Sequence, residues 1–376
     1  MTKLLDPSDP LHSLKAGHWF KLICGASFQH LPAVRTLTLA YAIAGADCID
    51  VAADPAVITA AQSGLAAAAK LAPVARQRGF PPYKPPLLMV SLNDGEDPHF
   101  RKAEFDPQSC PPDCPRPCQS ICPADAIAFR PPHSLGVITE KCYGCGRCLP
   151  VCPYDIIYTS SYVSTPGAVA PLVLSGEVSA VEIHTQVGRY TEFQRLWTAI
   201  EKHARRLKVV AVSCPDGEGI IEYLNFISKM ILPQVGTLVW QTDGRAMSGD
   251  IGDGTTQATV KFGQKVLAAN LPGYVQLAGG TNGYTVAKLR SLSLLKHNSG
   301  QSSYIAGIAY GSYARKLLSP VIHALEEREV NQTGIRKSIY LEQEPDLLWQ
   351  AVELASSLVS QLKSQSQPTR ISRQLP

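Results

Sequence analysis

The sequence predicts an α/β fold, a TIM-like (β/α)8 barrel carrying an inserted, cysteine-rich α+β module. Three observations predict it. Short runs of branched and aromatic residues alternate with helical segments of apolar periodicity. The alternation occurs eight times, the number that closes a barrel. Eight of the eleven cysteines crowd between Cys110 and Cys152, interrupting the alternation after its third strand. A doubly wound open sheet is the alternative that the same alternation permits.

The elements follow in order. After a loop, Trp19–Cys24 reads as strand one, Leu31–Ala44 as a helix and Asp47–Ala52 as strand two. The alanine-rich stretch Pro55–Leu71 is a helix, and Pro86–Leu92 is strand three, entered from a proline-rich turn. Beyond the cysteines, Ala168–Leu174 reads as a short helix. Ala180–Thr185 is strand four with helix Tyr190–Leu207, and Lys208–Ser213 is strand five with helix Gly219–Ile231. Thr237–Thr242 is strand six with helix Thr256–Asn270, and Tyr274–Ala278 is strand seven with helix Tyr284–Leu295. Ser303–Ala309 is strand eight with helix Tyr313–Glu327. Residues 345–362 form an amphipathic helix begun at Glu344-Pro345, which packs on the barrel or meets a partner. The Gln-, Ser- and Arg-rich end, 364–376, reads as a disordered tail. The expected division is therefore 1–97 (strands one to three), 98–162 (the module), 163–330 (strands four to eight) and 331–376 (helix and tail).

The module's second cysteine run, Cys142-Tyr-Gly-Cys145-Gly-Arg-Cys148-Leu-Pro-Val-Cys152-Pro153, is the bacterial ferredoxin pattern. Two residues between thiolates let a tight loop wrap one face of an iron–sulfur cube, and Gly144 and Gly146 relieve crowding. The first run, Cys110, Cys114, Cys118 and Cys122-Pro123, has three residues in both early gaps, filled with prolines. In two-cluster ferredoxins the cysteine before proline turns to the other cluster. The expectation is two [4Fe–4S] clusters, one on Cys110, Cys114, Cys118 and Cys152 and one on Cys142, Cys145, Cys148 and Cys122. Zinc is the alternative, although zinc ribbons use isolated Cys-x2-Cys pairs. The repeat extends past the ligands, since Cys122–Phe129 matches Cys152–Tyr158 in apolar pattern and in Asp125 and Asp155. Strands Ala103–Phe105 and Gly136–Thr139 should precede the runs and pair with Ala126–Phe129 and Ile156–Thr159.

Composition bounds the function. Hydrophobic residues make up 45% and charged residues 18%, as in an ordinary globular protein. The net charge of +4 is scattered, with no basic stripe, so no nucleic-acid partner is expected. No signal-peptide core and no transmembrane segment is read, and eight thiolates committed to clusters call for a reducing compartment, the cytoplasm.

In a barrel, the residues just past each strand converge on one mouth. Gly279 and Gly280 after strand seven and Gly311 after strand eight stand where barrels bind phosphate, so a flavin or another phosphorylated ligand is a candidate; tight turns alone would also explain the glycines. The loop 243–254 carries Asp243, Arg245, Asp250 and Asp253 and reads as a substrate loop or as solvated turns. His184 ends strand four as a proton carrier or a structural histidine. Cys48 reads as core, whereas Cys24 and Cys214 at strand ends are core or redox-active thiols. No nucleophile elbow, P-loop or dinucleotide fingerprint is present, and no catalytic residue is assigned.

With these motifs in view, the chain resembles the cyanobacterial light-dependent period protein A family, circadian-clock input proteins with iron–sulfur clusters. The resemblance rests on Trp19-Phe-Lys-Leu-Ile-Cys-Gly-Ala-Ser-Phe-Gln, the eight cysteines and Trp240-Gln-Thr-Asp-Gly-Arg-Ala-Met-Ser-Gly-Asp-Ile-Gly. It implies a redox sensor that relays light-dependent redox state to circadian-clock protein partners and so adjusts the period. The alternative is an oxidoreductase whose clusters feed a flavin or substrate in the barrel.

Overall fold

A computed structural model describes residues 10–122, 124–129, 136–161, 178–245, 254–297, 300–301, 303–328 and 339–363. Its centre is a closed barrel of eight parallel strands. In chain order these are β1 (Trp19–Gly25), β2 (Cys48–Ala52), β3 (Leu87–Asn93), β8 (Ala180–His184), β9 (Val209–Pro215), β10 (Leu238–Asp243), β11 (Tyr274–Ala278) and β12 (Ile305–Tyr310). Four short strands between β3 and β8 belong to the module: β4 (Arg101–Glu104), β5 (Ile127–Ala128), β6 (Gly136–Val137) and β7 (Tyr158–Ser161). Each barrel strand neighbours the next, and β1 pairs with β12 to close the ring. The open-sheet alternative is excluded by that closure.

Period-two alternation sorts the strand residues into two environments. Phe20, Leu22, Ile49, Val51, Leu88, Val90, Val181, Ile183, Val210 and Val212 point outward into one large core shared with the helices. Trp19, Cys48, Leu87, Met89, Ala180, Val209 and Val239 point inward and fill the bottom of the barrel, which Leu14 of α1 (Leu11–Ala16) plugs.

The helices fall close to their expected places. α2 (Leu31–Ile43) packs on α3 (Pro55–Gln77), and the two come close because Gly64 has no side chain: a Cβ there would lie 2.7 Å from the Arg35 carbonyl oxygen. Asp54 caps α3 by accepting from the N–H groups of Ala56 and Val57. This helix runs past the expected end at Leu71, through Pro73, and stops before Gly79, whose φ of 89° only glycine adopts easily. By length and composition it is the one helix among the described residues that is long and apolar enough to cross a membrane; here its buried residues pack in the outer layer of the barrel. The stretch expected as one helix over 190–207 is an α-helix only over Tyr190–Ile200 and tightens to a 3-10 turn over Glu201–Arg206. The helix after β11 is shorter than expected, Thr285–Ser291. The helix expected over Ala168–Leu174, the tail 364–376 and residues 246–253 of the acidic loop lie outside the described residues.

The C-terminal helix Pro345–Lys363 packs on the barrel, burying Leu348, Val352, Ala355, Leu358 and Val359. Phe80 stacks on Trp349 with ring centroids 5.8 Å apart, and Lys363 reaches Asp47 at 2.6 Å. Its apolar stripe is thus covered by the chain itself.

The module leaves the top of β3 and returns before β8. Its strands pair crosswise: β4 lies antiparallel to β7, and β5 to β6. The expected pairing, Ala103–Phe105 with Ala126–Phe129 and Gly136–Thr139 with Ile156–Thr159, is corrected accordingly. The strand before the first cysteine run pairs with the strand after the second, so the two halves interlock instead of standing side by side.

Candidate iron–sulfur module and barrel mouth

The two halves of the module repeat one local geometry. Asp125 and Asp155 both adopt left-handed backbone, with φ of 46° and 50°. The N–H groups of Asp125 and Asp155 donate to the carbonyls of Cys122 and Cys152, 3.4 Å in each case. Each turn reverses the chain just after a Cys-Pro pair and sends that cysteine toward the other half. Gly144 is required by contact as well as by its φ of 70°, because a Cβ there would come 2.1 Å from the Arg101 carbonyl oxygen.

The thiols separate into two groups that mix the runs. Burial pushes Cys118 up against a backbone hydrogen bond from Gln119 that lowers it, and the charges of Cys152, Cys110 and Cys114 add to the rise. Burial pushes Cys148 up to about 12, helped by Cys145, Cys142 and Cys122. Burial likewise raises Cys122, whose charged neighbours are Cys145 and Cys142 of the other run. A cavity lined by Cys122, Cys142, Cys145 and Cys148, with Ala103, Ala126, Ile127 and Val137, encloses this second group. Backbone N–H groups already point at sulfur: Ala103 at Cys142 (3.4 Å), Ala126 at Cys122 (3.3 Å) and Arg116 at Cys114 (3.4 Å). Thiols raised by burial and crowded by like charge need a cation to ionise together, and N–H donors to sulfur are what iron–sulfur sites supply.

The second group faces the barrel. Tyr143, between Cys142 and Cys145, meets Phe28 edge-on with centroids 6.0 Å apart and lies under the Arg315 guanidinium, 4.1 Å from the ring centroid. Burial raises the Tyr143 hydroxyl to about 12, so it stays neutral. Lys102 Nζ donates to Gln29 Oε1 and to the Thr139 carbonyl, both at 2.7 Å, and Lys141 reaches Glu326 at 2.9 Å.

Tyr143 also lines a cleft in the barrel mouth, about 760 Å³ of space open to solvent. Below it lies a polar layer that sequence reading missed. Fully buried Lys21 donates to Glu182 and to Gln241 Oε1 (3.0 Å) and pairs with Asp50 at 2.9 Å. Gln241 Nε2 donates to Glu182 Oε1 (2.7 Å), Gln276 to Gln241 (2.6 Å), and Ser91 to Asp50 (2.9 Å). Burial works against the ammonium of Lys21, but Asp50 and Glu182 hold it charged, above its ordinary range. Burial raises Asp50 to about 6, against the pull of Lys21. A signal for part of this layer was present: Lys21, Asp50 and Glu182 each stand between two apolar strand residues, as in Phe20-Lys21-Leu22 or Val181-Glu182-Ile183.

At the rim, His184 Nε2 lies 3.0 Å from Glu182, and its ring packs against His99, centroids 4.7 Å apart. His99, from the start of the module, is bracketed by Asp97 (2.7 Å) and Asp243 (3.0 Å). Burial opposes its charge, but Asp243 and Asp97 raise it to about 10, and Asp97 in turn is held far below the usual carboxylate range despite its own burial. Asp97, His99 and His184 bring three ligand atoms within 4.8 Å of one another, but with both His99 nitrogens committed to carboxylates the group reads as an ion-pair cluster.

Gly279, Gly280 and Gly311 all line the cleft. A Cβ on Gly279 would fall 1.6 Å from Asp243 Oδ1, and one on Gly280 2.7 Å from the Thr255 carbonyl oxygen, so both glycines have a packing reason. Cys24 and Cys214 are buried among the outward-facing core residues and are not at the mouth, because alternation along β1 and β9 turns them toward the helices. Burial pushes Cys24 up to about 12 and raises Cys214 and Cys48 as well, so none is an activated thiol.

A (β/α)8 barrel bearing an iron–sulfur-binding module at its mouth is the class of protein that this fold and site define. The chain belongs to the light dependent period A family. Residues 110–163 match the model of the family's Fe-S cluster-binding domain and residues 172–361 that of its C-terminal domain. The Light dependent period A protein of Synechococcus elongatus is 49% identical over 359 residues, 96% of this chain and 95% of that protein. Among solved structures, tryptophan synthase of Mycobacterium tuberculosis has a TM-score of 0.40 at 13% identity, covering 93% of this chain and 96% of that one. Tryptophan synthase subunit alpha of Legionella pneumophila has a TM-score of 0.42 at 12% identity, covering 96% of this chain and 99% of that one. The barrel itself is established by its own strand pairing.

Proposed function

We propose that this iron–sulfur protein, tied by its family to light-dependent clock period, is a redox sensor with two [4Fe–4S] clusters. Cys110, Cys114, Cys118 and Cys152 hold one cluster, and Cys142, Cys145, Cys148 and Cys122 hold the other. The observation that carries this reading is the sorting of eight thiols into two groups, each with three members from one run and the Cys-Pro cysteine of the other. A bound cluster supplies a one-electron change of charge. The chain's own residues make that charge consequential: Tyr143 and Arg315 connect the second group to the barrel mouth, so a change at the sulfurs acts on a surface that clock-protein partners in the cytoplasm can read.

Anaerobic purification with iron, sulfide and flavin analysis tests it; about eight iron and eight sulfide per chain are expected from two cubes. Cells whose only copy carries Cys142→Ser and Cys145→Ser should hold one clock period across light intensities while the protein stays abundant. An unchanged light response would reject the sensor. The cleft beside the second group favours one other reading, an oxidoreductase using a flavin, and co-purifying flavin with turnover would select it.

A further inference from the structure

We propose that the barrel-mouth cleft binds a phosphate monoester of a polyhydroxylated chain. The phosphate sits on the N-terminus of the helix Ser312–Arg328, a hydroxyl donates to Asp243 Oδ1, and Tyr143 links occupancy to the second cysteine group.

The two walls of the cleft ask for different things. On one wall, Gly311 and Ser312 begin a helix of 17 residues whose first in-helix bond is Arg315 N–H to the Gly311 carbonyl, 3.0 Å. The N–H groups of Ser312, Tyr313 and Ala314 precede it, and such donors with the helix dipole favour an anion. Arg315 is fixed beside them by the carbonyls of Ile23 and Cys24, both at 2.9 Å, and by Ser312 Oγ at 3.1 Å. Arg245 lines the same space.

The opposite wall asks for a donor. Asp243 is 3% exposed, and although Oδ2 meets His99, Oδ1 is buried without a hydrogen-bond partner among the described residues. An unsatisfied buried acceptor of this kind costs about 1–3 kcal/mol, which a ligand O–H would recover. Because Gly279 lies against this carboxylate, its side of the cleft repels phosphate, leaving the Gly311 side as the seat. Ser91, Glu182 and Gln241 at the floor offer further partners to hydroxyls and little to an apolar ligand.

Linkage follows from position. Tyr143 lines both this cleft and the cavity bounded by Cys122, Cys142, Cys145 and Cys148, with Arg315 resting on its ring. A phosphate drawing on Arg315 therefore changes the field at that thiol group, and the cluster's state must change phosphate-ester affinity by the same factor. This linkage rests on the proposed cluster assignment; the binding site does not.

Calorimetry on the anaerobically purified full chain, its iron and sulfide measured first, would use inorganic phosphate, glycerol 3-phosphate and flavin mononucleotide. Glycerol 3-phosphate or flavin mononucleotide should saturate one site, and the tighter of the two distinguishes a free ester from a flavin. Ser312→Asp should abolish binding without loss of fold, since an acidic residue suits a helix N-terminus. Asp243→Ala should weaken the esters about tenfold or more relative to inorganic phosphate. Ester should also shift the midpoint of a reductive titration followed by visible absorbance. No saturable binding, or binding indifferent to Ser312→Asp, overturns the site. Binding without a midpoint shift in cluster-loaded protein overturns the linkage, whereas absence of iron and sulfide strikes the proposed function and leaves the binding test standing.

Discussion

Asn93 is the last residue of β3 and His184 the last of β8, and the two pair in register on neighbouring strands although the whole module intervenes. The barrel therefore closes without any module strand in its wall. Joining Asp94 to Thr165 through a short linker should leave a chain that melts cooperatively, because barrel loops at this face tolerate insertion. Its melting temperature should fall, since Phe100, His99 and Lys102 are removed from buried contacts with His184, Asp243 and Gln29. Loss of the circular dichroism signal would show that the barrel cannot fold without the module.

Crossed ligation makes an asymmetric prediction. Cys122→Ser should disturb the cluster held by the second run, and Cys152→Ser the one held by the first. Each variant should lose roughly half its iron, with electron paramagnetic resonance identifying which signal is altered. Loss confined to the run that carries the substitution would refute the crossing.

Lys21 neutralises Asp50 and Glu182 in a buried layer, its own side chain being 0% exposed. Lys21→Met keeps the volume but leaves two buried carboxylates facing each other. Urea unfolding at neutral pH should show a loss of about 3–5 kcal/mol. Asp50, already raised to about 6, should then titrate higher still.

His99 gives the module's contact with β10 a pH dependence. Its folded pKa of about 10 lies above the ordinary 6.5, so its ion pairs with Asp97 and Asp243 contribute fully below 6.5 and fade as pH rises toward 10. His99→Gln should cost more stability near about pH 6 than near about pH 9, where the unfolded state of the native chain no longer binds the proton. A difference that stays constant across that range would mean that His99 is neutral in the folded protein.

Much of this molecule was determined by its sequence. The barrel order followed from eight alternations, because a strand that buries both faces needs branched residues throughout and its helix needs only one apolar stripe. The cysteine runs carried their chemistry in their spacing, and Asp125 and Asp155 marked the repeat that the left-handed turns realise. Only tertiary structure decided what meets at the mouth. Lys21, Asp50, Glu182 and Gln241 come from four separate strands, and His99 reaches Asp243 from the inserted module. No local pattern encodes such partners, since a strand records which face a residue points to but not which strand stands opposite. The same limit governs the module's crossed strand pairs and Cys24, placed by one step of alternation in the core instead of in the cleft.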